Sequence, residues 1–163
     1  MNVSAVASAD RAKQRNAMKI LLPVDGSEYA LAAVRHAIRL VGEGLQASLV
    51  LANVQAPAYL IEVLLVDPDA VGRATGATAA NAIEGGRALL DQTTIAYQVE
   101  PATGEPVPVL LGLIERLGCD AVIMGMRGHG ALRATLLGSV SQGLVHSASV
   151  PVTLVKLAAL PVT

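Results

Sequence analysis

Phenylalanine and tryptophan are absent from this 163-residue chain, and its only aromatic residues are Tyr29, Tyr59 and Tyr97. Without rings on which successive bases can stack, it offers no platform for single-stranded nucleic acid. Charge is equally sparse. Charged residues make up 15% of the chain, and 12 basic against 13 acidic residues leave a net charge of −1. That balance excludes both the basic footprint of a nucleic-acid-binding domain and a polybasic membrane patch. The lone Cys119 excludes an intramolecular disulfide and a cysteine-built metal site. It reads as a small buried hydrophobe in a reducing compartment, which makes the cytoplasm the expected location. No apolar run approaches the length of a membrane span. Residues 1–17 are small and polar, with Arg11, Lys13 and Arg15 and no apolar h-region, and are expected to form a disordered extension.

What remains is aliphatic. Hydrophobic residues reach 53%, and a core of Ala, Val, Leu and Ile suits a parallel sheet covered by helices. The length fits one domain, expected over residues 18–156 with a tail at 157–163. Ile20 to Val24 is an apolar run that stops at Asp25-Gly26-Ser27, a turn followed by a helix-capping residue. Ala30, Ala33, Val34, Ala37, Ile38 and Val41 then keep helical spacing up to Gly42 and Gly44. Ser48 to Val54 reads as a second strand. Residues 55–92 are the least legible part, read as a connection followed by a helix from Ala77 to Gln92 weakened by Gly85-Gly86. A strand over Thr94–Val99, a turn at Gly104-Glu105-Pro106 and a helix over Val107–Leu117 follow, with Pro108 in the helix's first turn. Asp120–Gly125 is the next strand, Gly138–Ser147 a helix and Val150–Lys156 a last strand. Five strands alternating with four helices imply a Rossmann-like α/β fold, a mainly parallel sheet with helices on both faces. Ligands of such sheets bind at the carboxyl ends of strands.

The chemistry is concentrated in a glycine framework: Gly125, two residues, Gly128, nine residues, then Gly138-Ser139-Val140-Ser141. Glycines let backbone N–H groups converge on an oxyanion, since no Cβ blocks the approach and positive φ is allowed. The framework ends at an expected helix start, where free N–H groups and the macrodipole favour phosphate. Arg127, His129 and Arg133 are the cationic or titratable groups between these glycines, suited to neutralising phosphate charge. His36 and His146 lack metal-ligand spacing and read as structural. There is no Gly-Lys-Ser/Thr loop, no carboxylate pair placed to hold a metal and no base beside a nucleophile. The cradle for phosphate is present without the machinery of phosphoryl transfer.

The turn Pro23-Val24-Asp25-Gly26-Ser27, the Gly125/Gly128/Gly138-Ser139 spacing and the final Pro151-Val-Thr-Leu-Val-Lys156 segment together resemble the universal stress protein family over residues 18–156. The glycine spacing is similar to that of the family's ATP-binding branch, which shares the architecture of the adenine nucleotide alpha hydrolases. The resemblance implies ATP as ligand, with Mg2+, in a stress-response or signalling regulator with at most slow hydrolysis. It places Pro23, Val24 and Asp25 at the nucleotide, with Asp25 toward ribose or adenine, and Val54 and Met124 beside the adenine. Gly125, Gly128, Gly138, Ser139, Val140 and Ser141 match the phosphate loop. It further implies a homodimer through the strand at 150–156, an apolar edge open to pairing, and ordering of residues 126–137 by ATP for a protein partner to read. Two other readings stay open: a weak nucleotide hydrolase or phosphotransferase using His129 or Asp25, and a dimeric interaction protein of the same fold that binds no nucleotide.

Overall fold

The apolar segment Met18–Pro23 is strand β1, the centre of a five-stranded sheet, in a computed structural model that describes residues 17–57, 70–128 and 137–157, with residues 70–78 described by backbone alone. The remaining strands are β2 (Ala47–Gln55), β3 (Tyr97–Thr103), β4 (Ala121–Gly125) and β5 (Val152–Val155). All pairings are parallel and the order is β3-β2-β1-β4-β5. The helices are α1 (Glu28–Gly42), α2 (Ala70–Leu90), α3 (Pro106–Leu117) and α4 (Ser139–Ser147). The chain steps outward from β1 to β2 and β3, then crosses back to lay β4 on the other side of β1. The winding therefore reverses between β1 and β4, and the carboxyl ends of these strands open a crevice.

Burial on both faces explains why β1 reads as an unbroken apolar run. Ile20 and Leu22 pack with Leu49 and Leu51 against Ala33, Val34 and Ile83, on the face covered by α1 and α2. Leu21, Val50 and Val122 pack against Leu110, Leu113 and Leu144, on the face covered by α3 and α4. Cys119 lies in this second cluster, and burial pushes its thiol pKa up, which keeps the sulfur protonated and unreactive. Among the described residues no helix is long and apolar enough to cross a membrane.

The five-strand, four-helix alternation read from the sequence is the observed architecture, and the differences lie at the element ends. The third strand begins and ends later than expected, at Tyr97–Thr103, and includes Pro101. An edge strand pairs on one side only, so a missing N–H on the outer side costs no ladder bond. The second helix begins at Ala70 instead of Ala77. Gly85 and Gly86 do not weaken it without return: a Cβ on Gly85 would lie 2.9 Å from Leu31 Cδ2 and one on Gly86 3.2 Å from Leu51 Cδ2. They allow α2 to sit close on α1 and β2. Residues 1–16, 58–69, 129–136 and 158–163, which include most of the expected extension and tail, lie outside the described residues.

Candidate functional site

The crevice is a cleft of about 980 Å³ over the carboxyl ends of the strands. Pro23 reaches it from the end of β1 with Val24 just beyond, Val54 from β2, and Met124 and Gly125 from β4. Asp25 and Arg127-Gly128 line it from the two loops, and Gly138, Ser139, Val140 and Ser141 from the start of α4. Residues separated by more than a hundred positions are thus gathered in one cavity because parallel strands deliver all their carboxyl ends to one side. Of the expected site residues, His129 lies outside the described segments, as does Arg133.

The two loops solve the same local problem differently. After β1, Gly26 takes φ 83° to turn the chain, and Ser27 caps α1 by accepting from Ala30 N at 3.2 Å. Asp25 Oδ1 accepts from Ser27 N at 2.9 Å, so one oxygen of this exposed carboxylate holds the turn. After β4, α4 starts at Gly138 with no side-chain cap. The first-turn N–H groups of α4 have no intrahelical acceptor, and the residues that carry them line the cleft. Gly138, expected as the first helical residue, is the cap position, and Ser139 is the first helical residue and is exposed. Ser141 is 2% exposed, and its hydroxyl lies 2.8 Å from Met126 O and 2.9 Å from Gly138 O. Its single proton is engaged by carbonyls, and with Gly138 N donating to Met126 O at 3.0 Å it fastens the loop to the helix start.

Neither Gly125 nor Gly128 adopts left-handed backbone, which corrects the expectation that positive φ is part of their use; among the described residues that region holds Gly26, Gly44, Gly104 and Gly118. Close approach is the reason instead. A Cβ on Gly125 would lie 2.7 Å from the carbonyl carbon of Tyr29 in α1, and a Cβ on Gly128 would strike Asp25 Oδ2. Gly138 has room for a side chain, its nearest neighbour being Arg127 Cα at 3.5 Å.

Beside this helix start stands Arg127, whose Nε is buried with no hydrogen-bond partner among the described residues. A guanidinium N–H withdrawn from water without an acceptor is costly. Arg127 is among the residues that line the cleft. Among the described residues no group of three or more His, Cys, Asp or Glu could hold a metal ion.

Several lining residues escaped the sequence reading, among them Asn53, Gln55, Asn81 and Gln142. Asn53 carried a usable signal, a polar residue inside the apolar run of β2. It is 3% exposed and donates Nδ2 to Val24 O at 2.7 Å, tying the ends of β2 and β1 together. Asn81 lies on α2, where a lone amide on a helix carries no mark of the cavity it faces.

Residues 16–156 match the Universal stress protein family. A curated relative, Universal stress protein MJ0531 of Methanocaldococcus jannaschii, is 26% identical over 148 residues, covering 85% of this chain and 81% of the relative. The solved structure of hypothetical protein MJ0577 superposes with a TM-score of 0.75 at 26% identity, over 89% of this chain and 99% of that one. Two more distant structures share the fold. One is a universal stress protein in complex with cAMP, at 21% identity and TM-score 0.59 over 86% of this chain and 98% of that one. The other is a universal stress protein family protein from Arabidopsis thaliana with AMP bound, at 17% identity and TM-score 0.62 over 87% and 93%.

Proposed function

Since this chain belongs to the universal stress protein family, we propose that its cleft binds an adenine nucleotide, with ATP as the ligand, and that the protein acts as a stress-response or signalling regulator. The observation that carries this reading is the buried Nε of Arg127, without a partner among the described residues, beside a start of α4 that has no side-chain cap. Together they offer a charge-assisted donor and free backbone N–H groups to one anion, the pairing that phosphate requires. The two relatives of the same fold that hold AMP and cAMP support an adenine nucleotide in particular. Pro23, Val24, Val54 and Met124 supply apolar walls for the base. Asp25, with Oδ1 on the turn, suits ribose hydroxyls as donors to its carboxylate. Gly125, Gly128, Gly138, Ser139, Val140 and Ser141 bound the phosphate end, with His129 in the same loop of the sequence. Mg2+ would arrive on the nucleotide's own phosphates, the usual mode for an ion that keeps most of its water.

Differential scanning calorimetry of the nucleotide-free protein with and without ATP and Mg2+ tests the proposal. At a hundredfold excess over Kd, mass action raises the unfolding free energy by about 2.7 kcal/mol. An unchanged transition at millimolar ATP would refute ATP binding and leave the nucleotide-free reading.

The partner surface we assign to a second copy of the chain is β5. It pairs only with β4 and is an edge of the sheet, and Leu157, just beyond it, is 40% exposed. Antiparallel pairing of two copies would satisfy both edges and cover this apolar margin. Sedimentation at micromolar concentration should give the mass of a dimer, and a monomer would rule this interface out.

A further inference from the structure

The lining residue Gln55 does not enter the phosphate chemistry, and its side-chain amide has a single permitted orientation. Asn53 Nδ2 donates to Val24 O at 2.7 Å, and a carbonyl can only accept, so the other atom of the Asn53 amide, Oδ1, must face Gln55. Gln55 Nε2 donates to that Oδ1 at 2.6 Å. Turning the Gln55 amide over would set two carbonyl oxygens against each other, so the chain of bonds from Val24 fixes it. The backbone of Gln55 is held as well, its carbonyl accepting from Gly104 N at 3.0 Å. One hydrogen of Nε2 is engaged by Asn53; what Gln55 retains for a ligand is the acceptor Oε1 and the second hydrogen of Nε2.

We propose that Gln55 is the residue that selects adenine over 6-oxopurines in the cleft, through an amide held in one orientation by Asn53. The inference rests on the nucleotide reading above. In the sheet order β2-β1-β4, Gln55 at the end of β2 is two strands from the loop after β4. That separation is about 10 Å at the usual strand spacing, a span that ribose and base can bridge once phosphate lies at α4. A carboxamide pairs with adenine by accepting from the 6-amino group and donating to the neighbouring ring nitrogen. Guanine and hypoxanthine carry an oxygen at position 6, which needs a donor where Gln55 holds an acceptor. A free glutamine would turn over to serve it; this one is prevented by Asn53 and Val24.

Isothermal titration of the full chain with ATP, GTP and inosine triphosphate, repeated on Gln55→Leu, tests this. The wild type should bind ATP about tenfold tighter than either 6-oxopurine, the lower range of one bidentate pair. Gln55→Leu should lose about tenfold in ATP affinity while GTP affinity holds, which erases the preference. A preference retained in Gln55→Leu overturns the role of Gln55 and leaves nucleotide binding standing. An equal fall for all three ligands also overturns it, making Gln55 a matter of cleft shape. If Gln55→Leu does not fold, equal wild-type affinity for ATP and inosine triphosphate still overturns it, because these two differ only at position 6 and in the proton that hypoxanthine carries on the adjacent N1. Failure of the wild type to bind any of the three refutes the nucleotide reading itself.

Discussion

Gly125→Val is expected to cost about 3 kcal/mol of unfolding free energy, the upper end of overpacking losses, because the added carbons have nowhere to go. The Cβ would lie 2.7 Å from the carbonyl carbon of Tyr29 and 2.8 Å from its oxygen. These are backbone atoms in the first turn of α1 and cannot rotate aside. Relief would require moving α1 off the end of β4, where Ile123 shares a buried cluster with Ala30, Ala33 and Val34. Urea unfolding followed by far-UV circular dichroism reads the loss, fluorescence being a poor probe in a chain without Trp. A stability within about 1 kcal/mol of wild type, the range of a benign substitution, would show that the strand end and helix do not approach this closely.

Gly128→Val should behave in the opposite way. Its Cβ would meet the carboxylate of Asp25, the exposed end of a side chain that can swing away. The change in the unliganded protein is then at least about 1 kcal/mol, the cost of the Asp25 to Ser27 hydrogen bond, and less than that of Gly125→Val. The effect falls on the ligand. Gly128 lines the cleft between Asp25 and Gly138, so the valine side chain would occupy space that a phosphate needs to approach the helix N–H groups. The stabilisation of about 2.7 kcal/mol expected at a hundredfold excess of ATP should disappear. Calorimetry on both variants separates the two glycines: Gly125 is needed to build the fold, Gly128 to leave the cleft open. Undiminished stabilisation of Gly128→Val by ATP would remove this loop from the phosphate site.

Twelve of the fourteen residues singled out from the sequence line the cleft, with His129 and Arg133 outside the described segments. They were legible because the carboxyl ends of parallel strands must converge, so each loop that follows an apolar strand is a candidate in advance. The amides Asn53, Gln55 and Asn81 were not, because polar residues near strand ends and on helices occur everywhere in α/β proteins. Only their place in the cavity and the bond from Asn53 to Val24 set the first two apart. The direction of the Ser141 hydroxyl was likewise not legible in the sequence. A serine at a helix start suits a ligand equally well on paper, yet its hydroxyl is turned to Met126 O and Gly138 O.

The sequence by itself determined the alternation of strands and helices, the aliphatic parallel sheet and the family, since each is written in local spacing: apolar runs, helical periodicity and the interval between glycines. The tertiary structure alone decided what the glycines of the site are for, that Gly85 and Gly86 seat α2 close on α1 and β2, and that Arg127 has a buried nitrogen without a partner among the described residues. Those outcomes depend on Tyr29 meeting Gly125, Asp25 meeting Gly128 and Leu31 meeting Gly85. Periodicity along one element carries no information about distances between elements, and it is the packing of α1 against β4 and α2 that sets them.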